Sequence, residues 1–186
     1  MTIFWFDTET GGLNAGTNPI LTLAGMVEVN GEIKEEFYFK MKPLPGQIIN
    51  EQALAVNKIT REEIQTFEDP HVVLNKLNMI MGKYSSRYNK MSPGGHNVDF
   101  DMKMLQAFYK GCGNNYLHNF LDYHKIDTMT LAVLLKKKGY INVPNVKLGT
   151  LTQYYNIPLD AHNAQNDIRA TKKLWDEMES RITYHP

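Results

Sequence analysis

Apolar positions along this chain change their period part-way. Residues 3–8 are apolar on both faces of an extended chain, which predicts a central strand covered on two sides. Gly11-Gly12 and Asn18-Pro19 mark the loop that follows. Residues 20–29 and 33–41 predict two further strands, and Asn30-Gly31 between them is a strong hairpin signal. From residue 50 onward the spacing turns helical. Short helices are predicted over 51–57 and 61–67, the second opened by a Thr60/Glu63 capping box, and a longer one over 72–84. A strand near Met91, a helix over 99–109, a strand over 123–127 and a helix running through residue 138 come next. Helices over 147–155 and 164–182 complete the set. Strands first and alternation afterwards imply an α/β domain: a mixed sheet with helices packed against it.

Composition narrows this picture without changing it. The 186 residues are 42% apolar, with ten Tyr, eight Phe and two Trp, enough for one packed domain and too much for a disordered chain. Cys112 is the single cysteine, which excludes an internal disulfide and fits a reducing, cytoplasmic setting. No basic leader precedes Asp7 and Glu9, and no apolar run approaches the ~20 residues of a membrane span, so no membrane partner is expected. Twenty basic and twenty acidic residues cancel. A tight, sequence-independent nucleic-acid coat is therefore disfavoured, whereas a nuclease is not, because bound metal ions can supply the charge that meets phosphate. The Lys136–Lys138 run is read as a solvated helix end stopped by Gly139.

Three segments carry candidate chemistry. Asp7 and Glu9 close the first strand, and its period of two sends both to the face marked by Ile3 and Trp5. Neighbouring carboxylates at the end of a buried strand repel each other and lose hydration unless a cation compensates. In the second segment, residues 95–101, helix phase separates two aspartates. Asp101 heads an apolar stripe through Leu105, Phe108 and Cys112, while Asp99 heads a polar one through Lys103, Gln106 and Lys110. Asp101 is thus expected on the packed side, and Asp99 as a cap or facing water. In the third, Asp167 heads a stripe through Thr171, Leu174 and Met178, and His162 enters from the preceding loop or first turn. Four carboxylates on core-facing sides suit a two-metal phosphodiester hydrolase, with cations about 3.5–4 Å apart and His162 as general base. The rivals are an aspartyl-phosphate phosphatase using Asp7, which leaves His162 and Asp167 unexplained, and a non-catalytic nucleic-acid-binding module. A zinc site is weaker, since Cys112, His118 and His124 lack paired-ligand spacing.

Phe6-Asp7-Thr8-Glu9-Thr10-Gly11-Gly12-Leu13, Gly95-His96-Asn97-Val98-Asp99-Phe100-Asp101 and His162-x4-Asp167 resemble the three motifs of the DEDDh (DnaQ-like) 3′→5′ exonuclease family, and residues 126–132 resemble a further family segment. The likeness runs from residue 3 to about residue 178 of a single domain spanning 1–186. It implies a ribonuclease-H-like mixed five-stranded sheet flanked by helices, and two magnesium ions for which manganese can substitute. Asp7, Glu9, Asp101 and Asp167 match its metal ligands, and His162 matches its base. Tyr in place of Asn163 would have indicated the family's tyrosine form. Thr10, Leu13 and Phe100 match positions that hold the terminal nucleotide. Asn57, where relatives often carry histidine, and Asn97 are grouped with them. The implied partner is nucleic acid with a free 3′ end, expected to be single-stranded DNA, with RNA as the alternative and replication or repair machinery as possible company. The short stretch after the last helix favours a free-standing nuclease. Gly11, where relatives carry threonine, predicts a looser turn, and Pro93 interrupts the strand expected before the second motif.

Overall fold

The computed structural model describes residues 1–159 and 163–182. Three strands come first: β1 (Thr2–Thr10), β2 (Ile20–Val29) and β3 (Glu32–Lys40). Asn30 and Gly31 both take positive φ and turn β2 into β3, as their sequence predicts. Helices α1 (Glu51–Asn57), α2 (Arg61–Thr66) and α3 (Pro70–Tyr84) follow, then β4 (Ser92–Gly95) and α4 (Val98–Gly111). The chain continues through α5 (Leu117–Phe120), β5 (Ile126–Asp127), α6 (Thr128–Lys137), α7 (Leu148–Tyr154) and α8 (Ala164–Ile182). The five strands lie in the order β3-β2-β1-β4-β5. β1, β2 and β3 are antiparallel, and β4 and β5 run parallel to β1.

Alternation along β1 divides the interior. Phe4 and Phe6 pack with Leu77 and Met81 of α3 and with Leu105 and Phe108 of α4. Ile3 and Trp5 face the other way and meet Ala164 and Ile168 of α8. Both faces are dry, which is why residues 3–6 are apolar without a break. A further cluster joins α6, α7 and α8 through Leu135, Leu151, Leu174 and Met178. Fully burying side chains of this size stabilises by about 1.5–3 kcal/mol each. Among the described residues no helix is long and apolar enough to cross a membrane.

Local signals place several element ends. Thr60 and Glu63 form the reciprocal capping box of α2. Asp69 caps α3, with Pro70 in its first turn, so this helix starts two residues earlier than its apolar period shows. Lys138 ends α6 and Gly139 follows at φ 78°, as expected of the lysine run.

β4 departs from expectation. The strand is Ser92-Pro93-Gly94-Gly95 itself, so the proline lies within it rather than interrupting it. Gly94 pairs with Trp5, and a Cβ added there would come within 2.7 Å of the Trp5 ring and 2.9 Å of Ile3. The indole occupies the room a side chain would need, which explains an apolar-poor central strand. Pairing with β5 begins only at Gly94, so Pro93 need supply no donor on that side. β5 is two residues long rather than five, and the single turn α5 has no counterpart in the hydrophobic pattern.

Candidate active site

The site forms where β1 runs out between α4 and α8. β1 and β2 slip in register between Glu9 and Thr10, a bulge that ends regular pairing and sets the direction of the last side chains. Asp7 and Glu9 leave the strand on the α8 side, and Asp167 approaches from the first turns of that helix. One carboxylate oxygen from each of these three residues lies within 4.8 Å of the others. Ala164 and Ile168, packed against Ile3 and Trp5, hold this end of α8 to the sheet.

Asp101 arrives from the opposite side. It is 4% exposed, and its Oδ1 accepts from the Thr8 backbone N–H (3.0 Å) and the Thr8 hydroxyl (2.6 Å). Leu105 and Phe108 of its stripe are buried, as helix phase requires. Asp99 is exposed and forms an ion pair with Lys125, so of the two expected roles it takes the solvent-facing one. The cap position belongs to Asn97, which has φ 62° and donates its backbone N–H to Asp127 at 3.0 Å. Sequence reasoning missed Thr8. The period of two that sends Asp7 and Glu9 to one face sends Thr8 to the other, so the signal was present.

Electrostatics fits these residues to a cation. Burial is the largest influence on Asp7 and raises its pKa well above the ordinary value, and the charges of Asp101, Asp167 and Glu9 push the same way. Glu9 is raised to about 7 by burial, then by Asp167 and Asp101. Asp101 is raised to about 7, chiefly by burial, against the lowering effect of its bonds from Thr8. Among the described residues, the charges named as acting on Asp7 and Glu9 are all carboxylates. A pocket of crowded oxygen donors suits hard divalent cations, which replace protons as the compensating charge. Among the described residues this is the one such cluster of potential ligands, and Cys112, His118 and His124 do not gather into another.

One residue beyond Glu9 in the chain, Thr10 joins Leu13 and Asn57, among others, in lining a cavity of about 440 Å³. Thr10 donates its hydroxyl to the Gly12 carbonyl at 2.7 Å, and Asn57 donates its side-chain N–H to the Thr10 carbonyl at 2.9 Å. Leu13 is 85% exposed at this cavity. The turn is tight rather than loose: Gly11 bonds to Pro19 and Asn50 through its backbone, and a Cβ on Gly11 would meet the Pro19 ring at 2.8 Å. That correction follows from Pro19 occupying the space a threonine would fill. Phe100, half-buried against the main core, and Asn97 do not line this cavity. His162 lies outside the described residues.

The exonuclease (RNase_T) family model matches residues 4–175. The chain belongs to the exonuclease family. Among relatives of this exonuclease domain, a PolC-type DNA polymerase III of Listeria monocytogenes is 31% identical over 170 residues, covering 91% of this chain and 11% of the polymerase. Ribonuclease T of Photorhabdus laumondii is 27% identical over 190 residues, covering 94% of this chain and 82% of that one. Among solved structures, E. coli exonuclease I in complex with a dT13 oligonucleotide superposes with a TM-score of 0.77 at 20% identity, over 98% of this chain and 42% of the other. The zinc-bound E. coli exonuclease I–ssDNA complex gives 0.80 at 20% identity, over 98% and 41%. The fold is thus the ribonuclease-H-like one. This chain spans about a tenth of the PolC-type polymerases and under half of exonuclease I.

Proposed function

We propose that this chain is a metal-dependent 3′→5′ exonuclease that releases nucleoside monophosphates from single-stranded DNA. The observation that carries the reading is the convergence of Asp7, Glu9 and Asp167 to within 4.8 Å, with Asp101 buried beside them. These four would hold two magnesium ions, or manganese in their place. Such ions supply charge neutralisation on the scissile phosphate and a more acidic water. Thr8 fixes the Asp101 carboxylate, and Asn57 fixes the Thr10 carbonyl at the cavity edge. The cavity over Leu13 takes the terminal nucleotide, which places the last phosphodiester beside the carboxylates. His162 accepts the proton of the attacking water. The likeness to one stretch of PolC-type polymerases makes replication or repair machinery, in the cytoplasm, the company we propose for it.

End-labelled single- and double-stranded DNA and RNA, digested with and without magnesium, test the reading. Expected are mononucleotides from the 3′ end of single-stranded DNA, abolished by chelation and restored by magnesium or manganese but poorly by calcium, which is larger and less demanding in geometry. Full activity after exhaustive chelation overturns the metal reading. Cleavage of a closed circular strand overturns the exonuclease reading, and binding without any cleavage leaves a nucleic-acid-binding module. A second reading, exoribonuclease, is favoured by the match over 82% of ribonuclease T, and faster digestion of RNA than DNA would establish it. The proton-transfer role has its own test. His162→Ala should slow the single-turnover step about 10²–10⁴-fold and remove the rise in rate through the imidazole pKa of ~6.5, with metal binding kept.

A further inference from the structure

Away from the carboxylates, a groove of about 740 Å³ runs along the outer side of α4, from Met102 near its start to Lys110 and Asn114 at its end. At 1.5 Å per residue Met102 and Lys110 stand about 12 Å apart along the helix, and Met102 is the residue next to Asp101 in the chain. Its lining concentrates positive charge. Lys90, Lys110 and Lys125 line it against a single carboxylate, Asp122, in a chain whose charges sum to zero. Lys90 also lines an adjoining hollow that holds Arg87. Among the described residues neither Lys90 nor Lys110 forms an ion pair with a carboxylate. Lys125 meets only the exposed Asp99, a pairing that costs little to exchange. Tyr123 lines the same groove with 82% of its surface exposed, its ring backed by that of His124 at 4.0 Å between centroids, which leaves an aromatic face open to the groove.

We propose that this groove binds single-stranded nucleic acid upstream of the 3′ terminus, with phosphates at Lys90 and Lys110 and a base stacked on Tyr123. Cations that track a backbone, interleaved with an aromatic platform, suit a flexible polyanion with π-faces. A carboxylate site attracts phosphate only through its metals, so a net-neutral chain must place its affinity for the rest of the strand elsewhere. The groove offers that place. This inference rests on the nuclease reading for the strand's direction, and the binding it predicts needs no turnover.

Fluorescence anisotropy of a labelled oligothymidylate, in chelator so that no cleavage occurs, tests it across a salt series. Replacing Lys90→Ala and Lys110→Ala together should weaken binding roughly 10–25-fold at about 0.1 M salt. The log–log salt slope should fall by about 1.4, at ~0.7 per phosphate contact on a single strand. Tyr123→Ala should weaken binding roughly 5–100-fold with the slope unchanged. Hydrolysis of p-nitrophenyl thymidine 5′-monophosphate, too small to reach the groove, should be unaltered in all variants. Parent-like oligonucleotide affinity in the lysine and tyrosine variants overturns the inference. Tighter binding of polyglutamate than of oligothymidylate does so too, and assigns the groove to an acidic peptide. Failure of the parent to hydrolyse the ester would count against the nuclease reading and leave the binding comparison intact.

Discussion

Asp99 and Asp101 stand two residues apart and meet opposite surroundings. Asp101→Asn should reduce single-turnover cleavage at least about 100-fold, the upper end of what losing even a metal ligand's supporting partner costs. Asp99→Asn, which loses an exposed ion pair, should stay within a fewfold of the parent. Equal losses, with folding intact by circular dichroism, would mean the helix phase is misassigned. The raised carboxylates also set a pH dependence of stability. Glu9 and Asp101 titrate near 7 in the fold and near 4 in an unfolded chain. Between those values the folded state binds more protons than the unfolded, so metal-free stability should be fullest below about pH 4 on this account and fall as pH rises through about 7. Thermal melts in chelator should therefore show a lower midpoint at about pH 8 than at about pH 5, and Glu9→Gln should flatten the difference. An unchanged difference would show that the titration of Glu9 is not its source. At this scale the sequence was informative because burial leaves a periodic trace: Asp7, Glu9, Asp101 and Asp167 each head or end an apolar row. Thr8 was legible by the same rule yet carried no charge to draw notice.

Elements with their own amphipathic period or turn chemistry were readable, and those specified by a neighbour were not. The β2–β3 hairpin announces itself through Asn30-Gly31, and α2 through its Thr60/Glu63 box. β4 has no such trace. Its glycines are demanded by the Trp5 ring lying across them, a tertiary requirement that overrides strand propensity. Gly94→Ala should consequently destabilise by about 1–3 kcal/mol through overpacking against Trp5 and Ile3, seen as a lower denaturant midpoint. No loss would mean that the indole can shift aside. α5 spans four residues and β5 two, lengths over which neither period can be detected.

For the whole molecule, topology does what local pattern cannot. Residues 7, 101 and 167 meet because β1 is central and is flanked by α4 on one face and α8 on the other. The groove along α4 was illegible in sequence for the same reason, since Lys90, Lys110 and Tyr123 become neighbours only when the 114–125 segment lies beside that helix. The seam between α8 and the sheet has one more property. Trp5 and Trp175 face each other across it with ring centroids 6.0 Å apart, and they are the two tryptophans of the chain. The Trp5 indole N–H donates to Glu28 at 2.8 Å, and Lys172 of α8 reaches the same carboxylate at 3.4 Å. Tryptophan emission therefore comes from a single place, the joint that carries Asp167 to Asp7 and Glu9. Titrating magnesium into the protein should change that emission in step with cation binding measured by calorimetry. In denaturant, an emission change that precedes loss of far-ultraviolet ellipticity would show α8 peeling away before the sheet melts. Coincident curves would show one cooperative unit. The chain thus carries a native optical reporter at the seam that holds its carboxylate cluster together.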